Sequence, residues 1–282
     1  EAAIAESVGD FKREQSSAVK AAEKAVSLGA RLLLANALLR DCWASNNLGD
    51  RSRALEAARK AREIFATVGD PGGEARALKN IADVLDDQGD HSGGRRVYEE
   101  ALGIFRRIGH ENGVAITLNN MAYAVRSQGD LKRARALFKE SLEVSTKISD
   151  EGGEARALNG IAIIDWRQGN LAQAEKMYER ALQVHRRFND RSRAATVQGN
   201  LAIVHQDMGR LADAKRDFEE SLRLLRDIGD KVGVTRTVGN LGELMTRMGD
   251  LSGAKQRFLE QLTLGRGIPD EKQRAYALHG LG

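Results

Sequence analysis

The residues of this chain with chemistry to offer are five histidines, one cysteine and a row of asparagines. His91, His110, His185, His205 and His279 have no second His or Cys three or four residues away, so no metal-ligand spacing is present. Asp165 and His205 stand 40 residues apart. Were the chain to repeat at that interval, they would meet on neighbouring elements, as a hydrogen bond between repeats more readily than as an acid–base pair. Cys42 alone supports neither a disulfide framework nor a CxxC motif, and it reads as a small buried packing residue rather than a nucleophile. Gly-Gly pieces such as Gly152-Gly153 follow helix-like stretches and not strands, so they carry no phosphate-loop meaning. The arginine pairs Arg95-Arg96, Arg106-Arg107 and Arg186-Arg187 have acids close by, and no aromatic recurs at an offset suited to stacking bases, which speaks against nucleic acid. The asparagines are different. One position reads Arg40, Asn80, Asn120, Gly160, Asn200, Asn240 and Gly280 at 40-residue spacing. Asn disfavours helix interiors, so an amide kept there is kept for use, as donor and acceptor at once. Its partner is either a ligand or the neighbouring helix.

Composition limits what could position these residues. The 282 residues are 41% hydrophobic but only 5% aromatic, so a core must come mostly from Ala, Leu, Ile and Val. Forty-four basic and 40 acidic residues nearly cancel, leaving +4. No run approaches the ~18 apolar residues of a membrane span, and no charged-then-apolar leader opens the sequence. The expectation is a reduced, cytoplasmic protein without cofactor, metal or membrane partner. Two prolines against 29 glycines is the ratio of a chain that reserves Gly for helix ends.

Those glycines are periodic. Gly9, Gly49, Gly89, Gly129, Gly169, Gly209 and Gly249 recur every 40 residues, each followed by Asp, Asn or Arg. A second series lies midway, at Gly69-Asp70, Gly109-His110, Ser149-Asp150, Asn189-Asp190, Gly229-Asp230 and Pro269-Asp270. Gly in the left-handed conformation stops one helix, and the polar residue after it caps the next. Segments of roughly 17 residues lie between, about 25 Å of helix each. In 131–148, Leu131, Ala134, Phe138, Leu142 and Ile148 form one apolar face at helical spacing. No segment alternates with period two, so no strand is predicted. Each helix pair has an apolar face that it cannot bury alone, and stacking pairs into a solenoid buries it.

The small and aromatic positions give the register: Leu78, Ile81-Ala82, Gly89, Gly94, Tyr98 and Ala101-Leu102 in one repeat. The next two read Leu118, Met121-Ala122, Gly129, Ala134, Phe138 and Ser141-Leu142, then Leu158, Ile161-Ala162, Gly169, Ala174, Tyr178 and Ala181-Leu182. Leu201-Ala202, Ala214, Phe218 and Leu222 follow, then Leu241-Gly242, Ala254, Phe258 and Leu262. This pattern resembles the tetratricopeptide repeat (TPR), in the 40-residue form of kinesin light chains, Pins/LGN-type G-protein regulators and bacterial MalT-type regulators. The resemblance implies an all-α, right-handed superhelical solenoid of antiparallel helix pairs, a single array over 1–282. Its frames would be a partial repeat at 1–30, then 31–70, 71–110, 111–150, 151–190, 191–230 and 231–270, and a partial repeat at 271–282. Residues 1–8 would be the tail of a first helix and 11–28 its partner. The frame 31–70 departs most, with Asp41, Ala58 and Arg62 at apolar, aromatic and leucine positions. With both ends cut inside the pattern, the chain reads as a segment of a longer polypeptide, whose open ends offer end-to-end self-association.

In such arrays the first helix of each pair lines a concave groove, and the resemblance implies a non-catalytic scaffold holding an extended peptide or partner segment there. The groove residues would be Arg76, Asn80, Asn120, Tyr123, Arg126, Arg156, Ile163, Trp166, Arg167, Asn200, Ile203, Arg236, Asn240 and Arg247. Asp83, Asp86 and Asp87 would add an acidic patch, with Tyr123, Ile163, Trp166 and Ile203 an apolar centre. Arginines around that centre suit a partner with an apolar anchor and acidic residues. Trp166 has packing as its alternative. The family's carboxylate clamp is not reproduced. The MalT-type resemblance implies a second function, an effector-sensing segment of a larger transcriptional or signalling regulator.

Overall fold

The computed structural model describes the backbone of residues 2–265 and the side chains of residues 11–265. All described elements are helices: α1 (Ala2–Ser27), α2 (Arg31–Asn47), α3 (Arg51–Val68), α4 (Pro71–Asp87), α5 (His91–Arg107), α6 (Glu111–Ser127), α7 (Leu131–Lys147), α8 (Glu151–Arg167), α9 (Leu171–Arg187), α10 (Arg191–Asp207), α11 (Leu211–Asp227), α12 (Lys231–Arg247) and α13 (Leu251–Gly265). The expected partial repeat at 271–282 and the Pro269-Asp270 stop lie outside the described residues.

The helix ends show why the chain is cut every 20 residues. Gly49 takes φ 83°, donating its amide to the Asn46 carbonyl at 3.0 Å, while the Asp50 amide reaches back to Ser45 at 2.9 Å. That double bond is a Schellman closure, and Gly meets its left-handed φ without a Cβ clash. Ser149 (φ 57°) and Asn189 (φ 53°) hold the same conformation without being glycine. Asp50 then opens α3 by accepting from the Arg53 amide, and Asp70, Asp90, Asp130, Asp150, Asp190, Asp230 and Asp250 repeat the device. His110 does the same with Nδ1, which accepts from Gly113 at 2.9 Å and so is the unprotonated ring nitrogen.

Two expected features are absent. Gly9-Asp10 does not break the chain, because α1 runs unbroken from Ala2 to Ser27. A glycine inside a helix costs only about 1 kcal/mol relative to alanine, and Gly9 is accommodated within α1. Asn170 makes no side-chain cap to α9 and donates instead to Asp165 at 3.4 Å.

The described chain falls into two compact units, one within Val8–Gly160 and one beginning at Ile161. In the first, each helix from α2 to α7 packs on the next, and the first helices of the pairs, α2, α4 and α6, also touch in sequence. The second has the same design, with α9 through α13 packed consecutively and α10 against α12. Small residues stand where helices cross: Ala82, Ala122, Ala162 and Ala202 are fully buried. The aromatics Tyr98, Phe138, Tyr178, Phe218 and Phe258 are likewise buried.

The departures in 31–70 have structural consequences. Buried Asp41 is held by the Arg53 Nε at 3.1 and 3.2 Å to its two oxygens. Arg62, in a leucine's place, turns out to Glu74 and Glu100 and leaves a cavity of about 500 Å³ floored by Leu78, Ile81, Leu85 and Val97.

Candidate functional site

The first helices present the asparagine and arginine positions at one register, but the two units use them differently. In the Val8–Gly160 unit the polar groups mostly bind one another. Asp83 accepts from Lys79 Nζ at 2.6 Å, Asn120 Nδ2 at 3.1 Å and the Tyr98 hydroxyl. Burial and the Asp83 charge push the Tyr98 phenol far above its ordinary value. Asp86 faces His91 Nδ1 at 2.6 Å, and Asp87 accepts from Asn46 at 2.7 Å. The expected acidic patch is thus a set of structural acceptors.

Expected groove residues in this unit are engaged in the same way. Arg76 reaches Asn36 at 3.3 Å and lies 5.4 Å from the Phe65 ring centre. Arg126 lies 5.5 Å over Tyr123, whose ring meets Phe138 edge-on and whose hydroxyl accepts from Asn159. Arg156 turns to Asp150 at 3.4 Å. Asn80 makes no described hydrogen bond to another side chain and is half exposed, and Arg126 keeps its Nε buried without a hydrogen-bond partner.

Gly160 shows why the asparagine row is interrupted. A Cβ there would lie 2.3 Å from the Phe138 ring, so the aromatic occupies the space a side chain would need.

In the unit beginning at Ile161, Trp166 donates its indole N–H to Asp207 at 2.7 Å, and Arg247 approaches the other oxygen of Asp207 at 3.9 Å. Trp166 is therefore anchored through its nitrogen, with its ring half exposed. Ile163 and Ile203 are half-buried, and Ile203 rests on the core of α10–α12. Asn200 is half exposed on the same helix. Arg167 and Arg236 are exposed and pair with no acid among the described residues, and Asn240 is half exposed without a described hydrogen-bond partner. Asp207 stands 40 residues after Arg167 in the same row of first-helix positions and links Trp166 to Arg247.

The expected Asp165–His205 pair does not form. His205 directs Nδ1 to Asp217 at 2.6 Å and Nε2 to Glu175 at 3.0 Å. Aligning repeats would have revealed Asp217, since positions 97, 137 and 177 hold Val, Leu and Met. Cys42 is 2% exposed, and burial, with the charges of Asp83 and Asp41, pushes its thiol up to about 12. Such a thiol is a packing group. Among the described residues no cluster of three ligating side chains could hold a metal ion, and no helix is long and apolar enough to cross a membrane.

The family model described as tetratricopeptide repeat matches residues 73–147, 113–187, 153–227 and 193–267. The chain is a tetratricopeptide-repeat protein. The TPR chain shares its fold with BtubC (BKLC) of P. vanneervenii, at TM-score 0.66 and 20% identity, over 79% of this chain and 91% of that one. A Rap protein complexed with Competence and Sporulation Factor matches at TM-score 0.66 and 13% identity, over 89% and 74% of the two chains. Cut9, from the APC/C hetero-tetramer Cut9-Hcn1, matches at 0.72 and 13%, over 95% of this TPR chain and 46% of the other. No curated protein sequence matches the chain.

Proposed function

We propose that this TPR chain is a non-catalytic scaffold that holds an extended peptide, or an extended segment of a partner protein, along the first helices of the unit beginning at Ile161. The observation that carries this reading is the exposure of Arg167, Arg236 and Asn240 without a hydrogen-bond acceptor among the described residues, beside half-buried Ile163, Ile203 and the Trp166 ring. An amide without a hydrogen-bond partner among the described residues can read a peptide backbone, which offers a donor and an acceptor at each residue. Unpaired guanidinium groups select carboxylates, and the apolar surface between them takes one aliphatic or aromatic anchor. The partner is therefore a segment with acidic residues flanking an apolar side chain. Two structures of similar fold support the class, since a Rap protein is seen with Competence and Sporulation Factor and Cut9 with Hcn1.

The test is selection from a random peptide library on the full chain, followed by titration of selected peptides by fluorescence polarisation. Acidic peptides with one apolar anchor are expected, weakened about tenfold or more by Arg236→Glu or Arg167→Glu and several-fold by Asn240→Ala. Melting temperatures of these surface variants should stay within about 2 °C of the parent. Selected peptides indifferent to all three substitutions, or no enrichment at all, would overturn the reading.

A further inference from the structure

The repeat at 31–70 is short of apolar volume along its second helix. Leu102, Leu118 and Leu137 belong to one apolar cluster, with Leu102 7% exposed and Leu118 fully buried. Forty residues earlier the same three positions are Arg62, Leu78 and Val97. Leu stands again at 142, 182, 222 and 262, so Arg62 is the departure. Its guanidinium turns away from the floor: Nε meets Glu74 at 3.3 Å, and a terminal nitrogen meets Glu100 of α5 at 2.5 Å. Beneath it the cavity of about 500 Å³ stays open, walled by α3, floored by α4 and bounded by Val97 of α5. Leu78, Ile81 and Leu85 follow at helical spacing, so the floor is a trough about 10 Å long. Its volume lies within the roughly 300–1,000 Å³ of ligand-binding clefts. An unfilled apolar trough forfeits the dispersion contacts that a filled one makes. The Arg62 and Glu100 side chains at its mouth are 38% and 47% exposed, and a pair so exposed opposes entry only weakly.

We propose that this trough is a docking site for an amphipathic helix of a partner protein, which inserts a leucine-sized aliphatic side chain between α3 and α5. The register names the occupant. What Leu102 gives to Leu118 and Leu137 from inside the fold, the partner gives to Leu78 and Val97 from outside. The rim sets the flanking charges. Arg59 and Glu63 line it one turn apart on α3, both exposed, and neither bonds another side chain among the described residues. They match an acidic and a basic residue one turn apart on the partner, and that order fixes the direction in which its helix lies. A helix is the fitting form, because a single turn of it repeats the spacing both of the floor and of the two charges. This face belongs to the Val8–Gly160 unit and to its second helices. It is separate from the first-helix site of the other unit, and neither reading rests on the other.

The test is selection from a library of helical peptides on the full chain carrying Arg236→Glu and Asn240→Ala, which removes competition from the first-helix site. Enrichment of a Leu flanked by an acid and a base one turn apart is expected. Titrating a selected peptide into methyl-labelled chain should shift the NMR signals of Leu78, Ile81, Leu85 and Val97. Arg62→Leu restores the residue of the later repeats and should weaken binding about tenfold or more with Tm no lower than the parent's. Ala66→Phe fills the trough from an exposed wall position, leaves Arg62 its two acids, and should weaken binding as much. Should Arg62→Leu not fold, Ala66→Phe decides alone. Arg59→Glu should turn the preference for the acid into one for a base. No enrichment, peptides that leave the four methyl signals in place, or peptides indifferent to both filling variants overturn the proposal. Shifts that grow with chain concentration alone would make the occupant a second copy of this chain. Shifts with octanol, but no selected peptide, would make it a small apolar ligand. Either result overturns the partner helix. Arg236 and Asn240 are already replaced in the selecting chain, so a failure here leaves the first-helix reading standing.

Discussion

The layer around Asp83 and the layer around Arg236 occupy the same part of the repeat in two different units, yet their charges have opposite fates. Asp83 is enclosed by Lys79, Tyr98 and Asn120, each donating to it. Arg236 and its neighbour one turn on, Asn240, extend from α12 with no described acceptor. The same residue types at the same spacing are thus structural in one layer and available in the other. What decides is whether the adjoining first helix brings an acceptor: Asn120 finds Asp83, whereas the residue equivalent to Asp83 beside Asn240 is Ile203, which has nothing to accept a hydrogen bond. An unpaired charge in water costs little, whereas one enclosed by helices must be matched.

The comparison is broken most forcibly by Asp83→Ala. Removing a shared acceptor strands the Tyr98 hydroxyl and loosens α4 from α5 and α6, so stability should fall by about 2–4 kcal/mol in urea titration. A loss below about 0.5 kcal/mol would mean that the Asp83 layer is as available as the Arg236 layer. Gly160→Ala sharpens the contrast from the packing side. Its Cβ would fall on the buried Phe138 ring, and a loss of about 1–3 kcal/mol is expected. An unchanged midpoint would show that the ring yields and that an asparagine could have stood there. The smallest effect concerns Cys42, whose thiol the Asp83 charge helps to raise. At pH 8 the native thiol should react with a disulfide reagent far more slowly than a free cysteine, and Asp83→Ala should speed that reaction several-fold. Equal rates in the two proteins would remove Asp83 from the account of the thiol, leaving burial alone.

Much of the fold was legible because its signals are local. A left-handed position admits Gly most cheaply, the next residue caps through its own side chain, and both recur every 20 residues, so helix ends can be read from the chain. Ala at the crossings and aromatics beside them followed from the 40-residue register. The local reading failed at Gly9, which is accommodated inside α1, and at Asn170, whose amide found Asp165 instead of its own helix end. The asparagine row was legible as a row, but not in its use. Asn120 and Asn240 are the same residue at the same position, and only the neighbouring helices made one a bond to Asp83 and left the other open.

The sequence alone determined that this chain is all helix, that its helices pair and stack, and which face of each carries polar groups, because propensity, capping and apolar period act within a few residues of each other. Tertiary structure decided which of those polar groups remain free. It turned His205 from Asp165 to Asp217 and Glu175, gave the Trp166 nitrogen to Asp207, and left Arg167 and Arg236 without an acid partner among the described residues. Hydrogen bonds between side chains from different helices depend on ångström distances that no local pattern encodes.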